Sequence, residues 1–184
     1  QNFSWTITTK PKIAAQQTSI KTTMGTIAFT VTGIPVYGPM EGPVPPQEAF
    51  GDPVFNNILD TCGGHTGYNA DYHHHTIFSV SDCSLQETIV GYALDGFPIY
   101  SNPQYKWKSG YEKTGNPKTN SWDAYTYKGG SSTLDECNGQ KQSDGSYRYY
   151  VTQSFPYVIG CYTGTAQKQS GAAAQSLNME HHNS

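Results

Sequence analysis

The sequence predicts an all-β protein, folded as a single compact β-sandwich-like domain built from two similar units. Three observations predict it: a composition rich in Tyr, Thr, Gly and Pro but poor in charge, apolar residues at alternate positions, and a series of landmarks that occurs twice. Across the 184 residues only 14% are charged, where soluble domains average about 25%. Aromatics make up 13%, with 14 Tyr, alongside 19 Gly and 11 Pro. Coiled coils and helical bundles need Ala, Leu, Glu and Lys in quantity and are excluded, and the aromatics supply enough apolar surface for a core. A net charge of −3 and a single arginine, Arg148, leave no basic stripe for nucleic acid. No apolar run reaches the roughly 18 residues that a membrane span requires.

Taken in chain order, the first element is an arm over residues 1–32. Phe3, Trp5 and Ile7 alternate, as do Ile27, Phe29 and Val31, and period-two alternation marks half-buried strands. The chain starts at Gln1 rather than Met, carries the sequon Asn2-Phe3-Ser4 and holds an even number of cysteines. From these we expect a secreted, extracellular glycoprotein, modified at Asn2, from which a signal peptide has been removed.

The body, residues 33–164, contains the repeated landmarks. Gly33-Ile34-Pro35-Val36-Tyr37-Gly38 returns as Gly96-Phe97-Pro98-Ile99-Tyr100-Ser101, and Leu59-Asp60-Thr61-Cys62-Gly63-Gly64-His65 as Leu134-Asp135-Glu136-Cys137-Asn138-Gly139-Gln140. Tyr72-His73-His74-His75 then matches Tyr147-Arg148-Tyr149-Tyr150, and Cys83 or Cys161 closes each copy. Gly-Pro-Tyr turns recur in any β protein and explain one landmark, but not four in register. Copy one is assigned to 33–83 and copy two to 96–161, packed about a pseudo-twofold axis on one core. Between Tyr100 and Leu134 the second copy carries a long surface excursion. Residues 165–184 form a polar Gln/Ser/Ala/Gly tail with few apolar anchors, held by the body or by a neighbouring molecule.

Four cysteines allow three pairings. The repeat favours Cys62–Cys83 and Cys137–Cys161, one staple per unit; a Cys62–Cys137 bridge across the axis remains the alternative. Each staple contributes about 3 kcal/mol in the chain-entropy model. No Cys-x-x-Cys spacing marks the cysteines as metal ligands.

The histidines concentrate the chemistry. In a strand through 72–75, His73 and His75 share one face and His74 takes the other. His65, arriving from the Gly63-Gly64 turn, adds a third imidazole to that face. Three converging imidazoles are a site for Zn²⁺ or Cu²⁺ with a coordination position left open. The bland reading makes them packing residues of a Tyr-rich sheet; two members at i and i+2 tip the balance toward metal. The matching second-copy residues, Gln140, Arg148 and Tyr150, are poor ligands, and Arg148 is placed to fill the equivalent site with a fixed charge. His181 and His182 in the tail are expected to be solvated. Asp60, Asp95 and Asp135 precede Gly-rich turns and are expected to accept backbone hydrogen bonds. Trp107, Trp122 and Tyr125 are suited either to sugar stacking or to packing within the excursion. No nucleophile elbow, phosphate loop or Ser/His/Asp set is present, so no catalytic residue is assigned.

The run Cys62-Gly63-Gly64-His65, then Tyr72 to His75, then Gly91-Tyr92-Ala93-Leu94-Asp95-Gly96-Phe97-Pro98-Ile99-Tyr100, resembles the YHYH-domain family. Leu134 to Gly139, Phe155-Pro156-Tyr157 and Gly160-Cys161 extend the resemblance over about residues 33–164. It implies a secreted or surface protein and a shared β fold more than an activity. The chain departs from the family motif at His74, where the motif has tyrosine, and at Arg148, where the second run often has histidine. That restricts metal binding to the first copy.

Two functions of different class follow. In one, the protein is a secreted structural or self-assembling subunit, fibre-forming or a homo-oligomer, joined through its 1–32 arm by strand addition to a neighbour's sheet edge. It carries one Zn or Cu ion at His65, His73 and His75. In the other, the same ion serves a metal-dependent extracellular enzyme acting on a polymer or polysaccharide. The first is preferred, because no general base stands beside the histidines in the sequence.

Overall fold

The computed structural model describes residues 3–42, 50–67 and 69–169. Asn2 and the tail residues His181 and His182 lie outside the described residues. The chain forms β1 (Thr18–Ser19), β2 (Thr26–Thr30), β3 (Pro35–Tyr37), β4 (Gly64–Thr66), β5 (Tyr72–His74), β6 (Ile89–Ala93) and β7 (Pro98–Tyr100). It continues with β8 (Tyr111–Lys113), the one-turn helix α1 (Ser121–Ala124), β9 (Tyr125–Tyr127), β10 (Gly139–Lys141), β11 (Tyr147–Tyr150) and β12 (Cys161–Tyr162). The protein is thus nearly all-β, and among the described residues no helix is long and apolar enough to cross a membrane.

Eight strands form one mixed sheet in the order β10-β11-β7-β6-β2-β3-β5-β4, and two-stranded sheets join β1 to β12 and β8 to β9. Among the described residues there is one large sheet, rather than the two facing sheets of a sandwich. Outward from the central antiparallel β2–β6 pair, both sides follow one plan: an antiparallel hairpin partner, a parallel neighbour, then an antiparallel edge strand.

The hairpins β2–β3 and β6–β7 turn on Gly33 and Gly96, at φ +85° and +89°, where a side chain would be strained. Each turn is closed by equivalent bonds: Thr30 N–H to Ile34 O at 2.9 Å, and Ala93 N–H to Phe97 O at 3.0 Å. The plan shared by the two hairpins therefore includes β2, which lies before Gly33.

That placement corrects the expected arm. Residues 26–30 form a central strand hydrogen-bonded on both sides, with Ile27 and Ala28 fully buried. They have no free edge to lend a neighbour. The Phe3-Trp5-Ile7 alternation is not a strand either: Trp5 lies parallel on Phe29 at 5.4 Å and donates its indole N–H to Gly33 O. Alternation here records an extended segment laying rings on a sheet face. The start of the C-terminal tail is held by the chain itself, with Gly164 N–H on Asp95 and Gln167 N–H on Leu94 O.

Register divides the sheet's faces. Val36, Ala28, Ala93, Ile99 and Tyr149 stand on one face and are buried with Ile20, Val158 and Ile159 in the core. The opposite face carries Pro35, Tyr37, Phe29, Tyr92 and Pro98. The excursion of the second half folds over residues 50–58 of the first: Tyr125 O–H donates to Asp52, and Ser121 N–H to Phe50 O. Tyr125 and Trp122 pack on Phe155, and Trp107 on Tyr150, so these aromatics serve internal contacts.

Candidate metal centre

Strand register explains which histidines meet. Val36 pairs with His74, which places His74 on the core face and its neighbours His73 and His75 on the other. His65 lies directly opposite His73 in the β4–β5 hairpin and shares that face. The three expected residues are therefore brought together, and His74 is turned away, its Nδ1 on the Cys62 carbonyl at 3.2 Å.

The structure adds a fourth residue, Glu41, from the loop after β3. The donor atoms of Glu41, His65, His73 and His75 all lie within 4.8 Å of one another. Glu41 Oε2 is 2.7 Å from His65 Nε2 and 3.0 Å from His75 Nε2. The three rings stand nearly edge-on to one another, at 70° to 77° with centroids 4.8 to 5.2 Å apart. Tyr37 stacks on His73 at 3.9 Å and meets His75 by its edge.

Tautomers follow from the outer contacts. His73 Nδ1 lies 3.1 Å from Asp71 O and His75 Nδ1 2.7 Å from Gly38 O. A carbonyl only accepts, so each Nδ1 carries a proton and donates it. Each ring then turns Nε2 toward the shared point, the arrangement that holds metal-ligating histidines in place. His73 Nε2 is buried with no hydrogen-bond partner. His65 Nε2 and His75 Nε2 face Glu41 Oε2 at 2.7 and 3.0 Å, contacts that a shared cation, proton or metal, must fill. An ion with ligand bonds of about 2.0–2.1 Å would engage all four side chains at once.

Charges agree with this. Burial, reinforced by His75, pushes His73 down to about 3, so it is neutral at physiological pH. Burial alone would raise Glu41, but its short contacts to His65 and His75 outweigh it and hold the carboxyl well below the usual range. A donor set of three imidazoles and one carboxylate suits Zn²⁺ and Cu²⁺.

Glu41 was not legible in the sequence. It belongs to a different element from the histidines, and no spacing rule links it to them. Its nearest signal is Gly38 in the same loop, whose carbonyl orients His75.

The three aspartates hold turns, as expected. Asp60 Oδ1 accepts from Cys62 and Gly64 N–H, and Tyr72 O–H donates to its other oxygen. Asp135 takes the same bonds from Cys137, Gly139 and Tyr147. Asp95 accepts from Tyr149, Phe97 and Gly164. Cys137 and Cys161 are disulfide-bonded, whereas Cys62 and Cys83 are present as two half-buried thiols.

The model of the YHYH protein family matches residues 4–164. The chain belongs to that family. No curated protein and no solved structure matches it. The match takes in β1 to β12 and every ligand described above. Within this YHYH protein the name-giving run supplies two of the four donors, and the tyrosine-to-histidine change at His74 falls on the face away from them.

Proposed function

We propose that the protein is a secreted metal-binding structural domain, in which Glu41, His65, His73 and His75 hold one Zn²⁺ or Cu²⁺ ion. The observation that carries this is the convergence of three imidazoles and a carboxylate, with donor atoms all within 4.8 Å of one another and two of the rings fixed by backbone carbonyls. The ion would tie the loop after β3 to the β4–β5 hairpin at one end of the sheet, where strands are only three residues long. Self-assembly, if the domain polymerises, would run through the outer strands β4 and β10 rather than through β2.

The test is metal content and site specificity together. Protein secreted and purified without added metal is expected to carry close to one Zn or Cu per chain, and His73→Ala with His75→Ala to carry none. Content below a tenth of an ion, with no uptake on dialysis against Zn²⁺ or Cu²⁺, would overturn the reading. Light scattering across a range of concentrations reads self-association directly.

A catalytic role is the second reading, and one observation favours it: His65 and Glu41 are partly exposed while His73 and His75 are buried. The outer parts of His65 and Glu41 thus face solvent, although their Nε2 and Oε2 atoms are buried, and a small shift of either side chain would open the position. A Co²⁺ derivative whose visible spectrum changes with azide would support an exchangeable position; an unresponsive four-coordinate spectrum would mark a structural ion.

A further inference from the structure

The two thiols of the first half bracket the metal ligands. Cys62 lies in the turn leading into β4, and Cys83 in the turns that follow β5, 21 positions later. His65, His73 and His75 all fall between them. Cys83 Sγ–H donates to the Cys62 carbonyl at 3.4 Å, and the two thiols also interact with each other. Cys62 is joined to the ligand frame as well. Its N–H shares Asp60 Oδ1 with Gly64 N–H, and its carbonyl accepts from His74 Nδ1. The adjoining Gly63 carbonyl accepts the His75 and Thr76 N–H groups. In the second half the corresponding pair is a disulfide.

We propose that Cys62 and Cys83 form a redox-governed disulfide whose state sets the metal affinity of the Glu41/His65/His73/His75 centre. The proposal rests on the metal-binding reading above. In the oxidation, one thiolate attacks a sulfur of a small-molecule or protein disulfide oxidant and expels one of its thiols, giving a mixed disulfide. The second cysteine then displaces the remaining oxidant sulfur, so the pair loses two protons and two electrons and the oxidant becomes two thiols. The closed ring encloses three of the four ligands. It removes metal-free conformations in which the histidines are spread apart, and the ion meets a preorganised site. Linkage makes the effect reciprocal: bound metal must stabilise the disulfide by the same factor.

Peptide mapping without reduction is expected to find Cys62 joined to Cys83 in the secreted protein; free thiols at both positions would overturn the proposal. Zn²⁺ affinity is then measured by chelator competition for the oxidised protein and for Cys62→Ser/Cys83→Ser, which keeps Cys137–Cys161. The variant is expected to bind about tenfold more weakly. On the wild-type chain, the potential of the Cys62–Cys83 couple is expected to fall by about 30 mV with saturating Zn²⁺, the same tenfold factor for a two-electron couple. That measurement decides even if the variant folds poorly. Equal affinity with an unshifted potential would overturn the coupling and leave the metal site standing. Tighter binding by the reduced protein would also overturn it, since the thiols would then be ligands. Failure of every form to bind Zn²⁺ would instead overturn the metal reading.

Discussion

The two halves of the sheet share a backbone and differ in what they build on it. Asp60 and Asp135 close their turns with the same set of bonds, from two backbone N–H groups and a tyrosine ten residues after the cysteine. Where His73 stacks on Tyr37, the Arg148 guanidinium lies over Tyr100 at 4.2 Å. The fixed charge expected at that site is present, although it rests on an aromatic face rather than among ligands. Where His75 completes the His/Glu cluster, Tyr150 packs against Trp107 and Tyr100. The second half is held by a disulfide and aromatic packing, and the first carries a buried cluster of three imidazoles and a carboxylate. The comparison teaches that one strand plan supports either packing or a site, and that the side chains placed on it decide which.

The cysteines provide the largest way to break that comparison. Cys137 is fully buried and Cys161 nearly so, and loss of their bond through Cys137→Ser is expected to cost 2–5 kcal/mol, about 2–4 °C in Tm for each. Cys62→Ser is expected to cost less, because its site is half-exposed and cross-braced by Asp60. Thermal unfolding of both variants reads the order; a reversed order would place the structural weight in the first half.

Metal removal is expected to come next. An ion present at a hundred times its Kd contributes about 2.7 kcal/mol, so chelation is expected to lower Tm by roughly 5–10 °C. Hydrogen exchange should show the lost protection in residues 37–41 and 62–76, with 137–150 unaffected. Uniform loss over both halves would deny the local staple.

Acidification sharpens the contrast through sign. Burial raises Asp60, but the bonds from Tyr72, Gly64 and Cys62 outweigh it and its carboxyl is lowered. Its stabilisation is thus present above the ordinary carboxylate range and is lost as pH falls through the lowered folded value. Asp135, more deeply set, is raised by burial despite the same bonds. The folded protein then favours its protonated form, a contribution present at low pH that fades as pH rises through the raised value. Carboxyl titration by NMR is expected to show Asp135 protonating before Asp60 as pH falls; the reverse order would sink the burial argument. The smallest effect belongs to Arg148→Ala, which removes a half-exposed cation–π contact and is expected to cost about 0.5–1 kcal/mol by denaturant unfolding.

Much of this architecture was legible in the sequence because period-two patterns and repeated turns are local. The His73/His75 pairing on one face follows from alternation, and the addition of His65 from the register of a hairpin that turns through residues 67–71. Partnerships between elements were not legible. Alternation at Ile27, Phe29 and Val31 marks a strand but carries no record of its neighbours, so β2 reads as an arm when it is the centre of the sheet. At Phe3 and Trp5 the same pattern accompanies aromatic packing outside any strand, Trp5 lying on Phe29 of β2 and Phe3 on Trp5. Glu41 was hidden for the same reason: its role depends on a loop returning beside β5, which no residue near Glu41 announces.

The central claim is a single ion held by four named side chains. A crystal of protein equilibrated with Zn²⁺, measured on both sides of the zinc absorption edge, tests it most directly. The account predicts one anomalous peak per chain, bonded to Nε2 of His65, His73 and His75 and to a Glu41 oxygen. Anomalous density only at other surface positions, with the three imidazoles hydrogen-bonded to water or to one another, would contradict it.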